Sequence, residues 1–177
     1  EKWENLLAVL TVQEESLNDQ ETIQITLQKA WVLTKIHRPE DALASIRKAC
    51  AQCSYDNPMR LSLYDYLEHE NDWDYLADQI RQHLMHTEDN LEKSMLWLRL
   101  AGIYQNGMNN LEESLRCLDS AYHEDQSKGE ILCKISETAQ KIGELDVARR
   151  ALDDFIHFHE PPLEKLLELE PRLLELH

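Results

Sequence analysis

A short apolar signature returns five times along this chain at nearly even intervals. With Leu6, Ala42, Leu76, Ser114 and Ala148 as anchors, the intervals are 36, 34, 38 and 34 residues. Three residues before the anchors stand Trp3, Pro39, Trp73, Leu111 and Leu145. Four residues after them stand Leu10, Ile46, Ile80, Leu118 and Leu152. Offsets of −3, 0 and +4 share one face of an α-helix. The stretches KWENLLAVL and DWDYLADQI show the recurrence directly, with Trp3, Glu4 and Leu6 matched by Trp73, Asp74 and Leu76 two repeats later. A period of this length fixes the architecture before any single element is considered.

A further helix precedes each of the last four anchors. Its stripe reads Leu27, Ala30, Leu33 and Ile36, then Leu61, Tyr64 and Leu67. It continues as Leu98, Ala101 and Tyr104, then Leu132, Ile135, Ala139 and Ile142. HRPED, HEND, NGMNN and GEL mark turns inside the pairs, and SYDNP, HTEDN and HEDQSKGE join one pair to the next. The chain therefore reads as helix pairs near 21–54, 58–87, 90–124 and 128–159, after one unpaired helix at 3–18. With four Gly, five Pro and no alternating Val/Ile/Thr-rich run, the fold class is all-α. One pair cannot bury both of its apolar faces, so pairs must stack and share a continuous core. Small residues such as Ala30 and Ala42 let paired helices approach closely. Trp3 and Trp73 are expected as core wedges between successive pairs.

The segment LRLAGIYQNGMNNLEESLRCLDSAY, through Leu100, Ala101, Tyr104, Gly107, Ser114 and Ala121, resembles the tetratricopeptide repeat (TPR) family. ISETAQKIGELDVARRALDDF resembles it through Gly143 and Ala148, with Phe155 where the family prefers Ala. HRPEDALASIRKA does so through Ala42 and Ala49, and the unit around Leu76 departs most, with Leu76 and His83 at small-residue sites. Loose or differently angled packing is expected there. The likeness spans residues 3–158 and implies a right-handed α-solenoid of stacked antiparallel pairs over 1–160. It also implies that the first helix of each pair lines a concave side. The positions then facing a partner are Trp31, Lys35, Asp65, Glu68, His69, Gln105, Asn106, Glu137, Gln140 and Lys141, beside Gln24, Leu61, Leu98 and Cys133. Co-chaperones of the family hold a C-terminal carboxylate with Lys, Asn and Arg at such sites. Here those sites read Leu27/Trp31, Leu61/Asp65, Leu98/Gly102 and Cys133/Glu137, so that clamp is missing. Trp31 has two readings, an anchor for a partner or a core residue beside Ala30.

Residues 161–177 differ in kind. EKLLELE and PRLLELH are copies seven residues apart, and their Leu stripe suits a capping helix over the last pair. An oligomerisation helix is the other reading, interrupted by Pro171, and the oligomeric state stays open.

The net charge is −16, from 18 basic and 34 acidic residues, with no dense cluster of Lys and Arg. That argues against nucleic acid or an anionic membrane as partner. No apolar run is long enough for a membrane span. The chain opens on Glu1 rather than Met, with no signal-like segment; a fragment or processed form, cytoplasmic, is the expectation. Cys50, Cys53, Cys117 and Cys133 are expected as free thiols. The C-x-x-C of Cys50 and Cys53 sits at a helix end, opposite to where a dipole would activate a thiol. His83/His86, His157/His159 and His123 lack a third ligand at defined spacing, so no metal or other cofactor is expected. No phosphate loop, nucleophile elbow or H-E-x-x-H occurs, and no catalytic residue is assigned. The function expected is a non-catalytic scaffold for an apolar and basic protein segment. The alternatives are a regulatory or sensor module of a larger protein answering to a peptide or small ligand, and a metal- or thiol-dependent site at the Cys or His clusters.

Overall fold

The computed structural model describes residues 2–14 and 19–175. Among them every regular element is helical, with no strand. The elements are α1 (Lys2–Glu14), α2 (Asp19–Lys35), α3 (Pro39–Gln52), α4 (Arg60–His69) and α5 (Trp73–His86), then α6 (Asn90–Gly102), α7 (Leu111–Glu124), α8 (Glu130–Ile142), α9 (Leu145–His159) and α10 (Leu163–Glu175). Part of the helix expected at 3–18 lies outside the described residues, as does the end of the tail.

Contacts divide the chain into two compact units, residues 1–86 and 87–177. In the first, α1 packs on α2, α2 on α3, α3 on α4 and α4 on α5, with a further contact from α2 to α4. In the second, α6 packs on α7, α7 on α8, α8 on α9 and α9 on α10.

The turns inside the pairs repeat in detail. Each holds one residue in the left-handed region, at His37 (φ 61°), Asn71 (φ 60°), Asn109 (φ 50°) and Gly143 (φ 85°). All four stand five residues before an anchor. The next amide reaches back into the helix just ended: Arg38 N–H to Leu33 O, Asp72 N–H to Leu67 O and Glu144 N–H to Ala139 O, each 2.9 Å. This is the 6→1 bond that closes a helix through a left-handed residue. The third turn departs because α6 runs on into a π-helical turn, Ile103–Gly107. Its closing bond, Asn110 N–H to Tyr104 O at 2.8 Å, spans one more residue. Gly107, expected as the turn glycine, only ends the π-turn, and the left-handed conformation falls on Asn109.

Anchors Ala42, Leu76, Ser114 and Ala148 are buried, and so are all five +4 residues, Leu10, Ile46, Ile80, Leu118 and Leu152. The −3 residues are not. Trp3 is 41% exposed and Trp73 half-buried, which corrects the expectation of core wedges. Pro39, Trp73, Leu111 and Leu145 each begin a helix, and a side chain there leans back past the helix start, beyond the facing element. Leu61 is likewise exposed, and Leu63 takes its place in the core of the first unit. In the second unit, α6 and α7 approach through small residues. Buried Ser94 donates to Ala121 O, and buried Ser114 to Ala101 O, both at 2.9 Å.

Candidate functional site

In the first unit, Trp31 stands on the outward side of α2, beside the buried Ala30. It is 49% exposed, so the half of its ring away from the core is available. Its ring meets Trp3 of α1 edge to face, 5.2 Å between centroids, and Lys35 Nζ lies 5.4 Å from its centre. Aromatic and cation–π contacts of this kind fix ring orientation without covering it. Beside Trp31 opens a recess of about 430 Å³ walled by Leu6 and Leu10 of α1 and Leu27, Gln28 and Val32 of α2. Its walls are almost wholly apolar, the chemistry that accepts an aliphatic or aromatic side chain. Asp65, Glu68 and His69 lie on the exposed side of α4, with His69 Nδ1 3.0 Å from Glu70 Oε1.

The second unit gathers three of its candidates. Gln105 and Asn106, carried by the π-turn, line a recess of about 220 Å³ with Glu137 of α8. Its floor is apolar, from Leu98, Ala101 and Leu118, and Lys134 stands at its rim with Glu137. Gln140 is half-buried and Lys141 exposed, one turn further along α8 and outside that recess.

The Cys and His motifs take packing roles. Arg60, the first residue of α4, is 1% exposed, and its guanidinium is spread over three elements. It donates to Cys50 O (3.1 Å) and Cys53 O (2.5 Å) at the end of α3, to Tyr64 OH (2.7 Å), and to Gln79 Oε1 of α5 (3.0 Å). The end of α3 leaves carbonyls without helical partners, and a cation there meets both their lone pairs and the helix dipole. Burial alone would lower the guanidinium pKa, but the Tyr64 hydrogen bond and surrounding electrostatics outweigh it, so Arg60 stays charged. Tyr55 covers the guanidinium, with its ring centre 4.1 Å from Cζ, and stacks on His86 at 4.3 Å. His83 is buried with Nδ1 3.4 Å from Tyr64 OH. Leu76 and His83, the departures from small residues, are thus both packed inside the first unit.

Burial pushes the Cys50 thiol up to about 11 although Arg60 opposes it, the reverse of thiol activation. None of the four cysteines is in a disulfide. His159 stacks on Phe155, reaches Tyr122 OH at 3.3 Å, and lies where any side chain on Gly129 would collide with its ring. Among the described residues no three His, Cys, Asp or Glu side chains converge as metal ligands, and no helix is long and apolar enough to cross a membrane.

Sequence reasoning missed two features. The Arg60 network escaped because an Arg at a helix start resembles a surface residue. The contribution of α1 to the Trp31 recess escaped because Leu6 and Leu10 were assigned to the core, which holds for Leu10 alone. Compared with known proteins, the chain matches no family model and no curated sequence.

Proposed function

We propose that the chain is a TPR-like, right-handed solenoid of stacked helix pairs that serves as a non-catalytic scaffold for another protein. The recurrence of a left-handed residue five residues before each of the last four anchors supports the repeat reading. The observation that carries the interaction reading is Trp31, held half-exposed over an open apolar recess. A half-exposed Trp beside an unfilled apolar hollow is the surface on which binding energy concentrates. The partner segment places apolar side chains against Trp31 and Leu27. It offers Lys or Arg to Asp65 and Glu68 on α4, which stand exposed in a chain of net charge −16.

The test is capture of partners from a lysate of the source cell by the purified chain, at low and moderate salt, repeated with Trp31→Ala. A specific, salt-sensitive protein that the variant captures at least about tenfold less well is the expected result. The variant must keep its helical circular dichroism, which its exposed position allows. Equal capture by both proteins sinks Trp31 as the anchor.

A further inference from the structure

Gly102 is a glycine that the fold does not ask for. Its backbone is ordinary helix, φ −61° and ψ −41°, and a β-carbon there would meet nothing within 4 Å. Gly129 is held against the His159 ring and Gly143 is left-handed, but neither reason applies to Gly102. Inside a helix glycine is less stable than alanine. What its missing side chain does is open the backbone of α6 to the recess that it lines with Gln105, Asn106 and Glu137.

Two more departures meet in that recess. The π-turn starts one residue after Gly102 and carries Gln105 and Asn106 to the wall. Among the described residues neither of their side-chain amides has a hydrogen-bond partner. Thr138 of α8 lines the same recess and is 2% exposed, and its hydroxyl also lacks a partner among the described residues. A hydroxyl buried without a partner costs stability, and a polar group entering the recess relieves that cost.

We propose that the recess takes the backbone of an extended peptide, laid across Gly102 with one aliphatic side chain turned onto Leu98, Ala101 and Leu118. Gln105, Asn106 and Thr138 can each donate and accept, which matches a main chain that offers one N–H and one C=O per residue. In such recognition main-chain hydrogen bonds supply affinity, and the pocket selects the side chain. Glu137 and Lys134 both border the recess and offset each other, so it favours neither an anion nor a cation. Leu91 and Met95 stand exposed on the same stripe of α6 as Leu98 and Gly102, and carry the peptide's next apolar side chain. The inference rests on the reading of the chain as a scaffold for a protein segment, and adds to it a site in the second unit with a stated chemistry.

A phage library of linear heptapeptides, panned on the intact chain and then on Gly102→Leu, tests it. Leucine is a good helix former and its β-carbon has room, so the variant should keep the parent's circular dichroism and melt no lower. The expected result is a set of peptides sharing an aliphatic residue. Made synthetically, they should bind Gly102→Leu, and the double variant Gln105→Ala/Asn106→Ala, at least about tenfold more weakly than the parent. Methylating the peptide nitrogens beside that residue should weaken binding as much, because it removes main-chain donors and leaves every side chain. Peptides that bind all these proteins equally, or that tolerate methylation, overturn the backbone site. So does a panning in which nothing distinguishes the parent from Gly102→Leu. A Gly102→Ala protein that melts below the parent does so too, because the glycine would then serve the fold. Peptides lost on Trp31→Ala but not on Gly102→Leu overturn this site while supporting Trp31 as the anchor. If Trp31→Ala leaves lysate capture unchanged while Gly102→Leu loses its peptides, the Trp31 anchor falls and this site stands.

Discussion

Arg60 is the residue on which the first unit depends most. Four hydrogen bonds from its guanidinium serve the end of α3, its own helix and α5, with no carboxylate among the acceptors described for it. Replacing it with Met keeps the stem but takes this donor from the Cys50 and Cys53 carbonyls and leaves Gln79 Oε1 only the Cys50 thiol. Arg60→Met is expected to cost about 2–4 kcal/mol in urea unfolding. Arg60→Lys should recover only part of this, because one ammonium cannot reach acceptors arranged for a planar fork. Equal stability of all three proteins would mean that the Arg60 hydrogen bonds contribute nothing net to the fold. The same cluster sets an alkaline limit. Burial raises Cys50 from 9.0 to about 11 and Tyr64 from 10.0 to about 12, in both cases against Arg60. Both are acids whose neutral form the fold prefers, so the unfolded chain loses their protons first. Their contribution is present below pH 9 and drains away as pH rises from 9 through 12. Tyr66, Tyr75 and Tyr122 are raised too, by burial, and act in the same direction. Melting temperature should fall over that window, and less steeply between pH 9 and 11 in Cys50→Ala. None of this was legible in the sequence, since burial of a charge depends on which carbonyls a distant helix end leaves open.

At the scale of elements, the helices were legible because two signals agreed, an apolar stripe and a turn at every repeat. The turn residues themselves were only partly so. Gly143 reads as a helix stop, whereas His37 gives no hint of the left-handed conformation it adopts at φ 61°. A β-carbon in that region is disfavoured, most for residues without a short polar side chain. His37→Gly is therefore expected to stabilise the chain, and Gly143→Ala to destabilise it, each by about 1 kcal/mol. Asn71→Gly should change little, because Asn tolerates the conformation. Thermal melts of the three variants would check the order, and a stabilising Gly143→Ala would contradict the shared turn geometry. The π-turn was illegible for a related reason. One extra residue between Tyr104 and Asn110 leaves the stripe of α6 intact while moving Gln105 and Asn106 to the recess beside Glu137. The candidate site was thus readable as a set of outward positions. Trp31 was readable as either core or anchor, and only the α1 wall beside it decides for the exposed reading.

For the molecule as a whole, charge supplies a test in which folding and binding answer with opposite signs. A chain of net charge −16 repels itself when compact, and added salt screens that repulsion. Salt also weakens the exposed ion pairs Arg38–Asp41, Arg81–Asp78, Arg116–Glu113 and Arg149–Asp146. Those pairs are local, three residues apart within a helix or at its start, and contribute little each. The excess of acids acts across each unit and should decide the sign. Raising sodium chloride from about 10 to about 150 mM shortens the screening length from about 30 to about 8 Å, so the melting temperature is expected to rise. A basic partner segment drawn to Asp65 and Glu68 must respond the other way, because its attraction is screened over the same range. One salt series read by melting and partner capture therefore separates the two. A melting temperature that falls with salt would mean that local pairs outweigh the net charge. Capture that strengthens with salt would place the partner on the apolar recess alone, with the acids of α4 left to solvent.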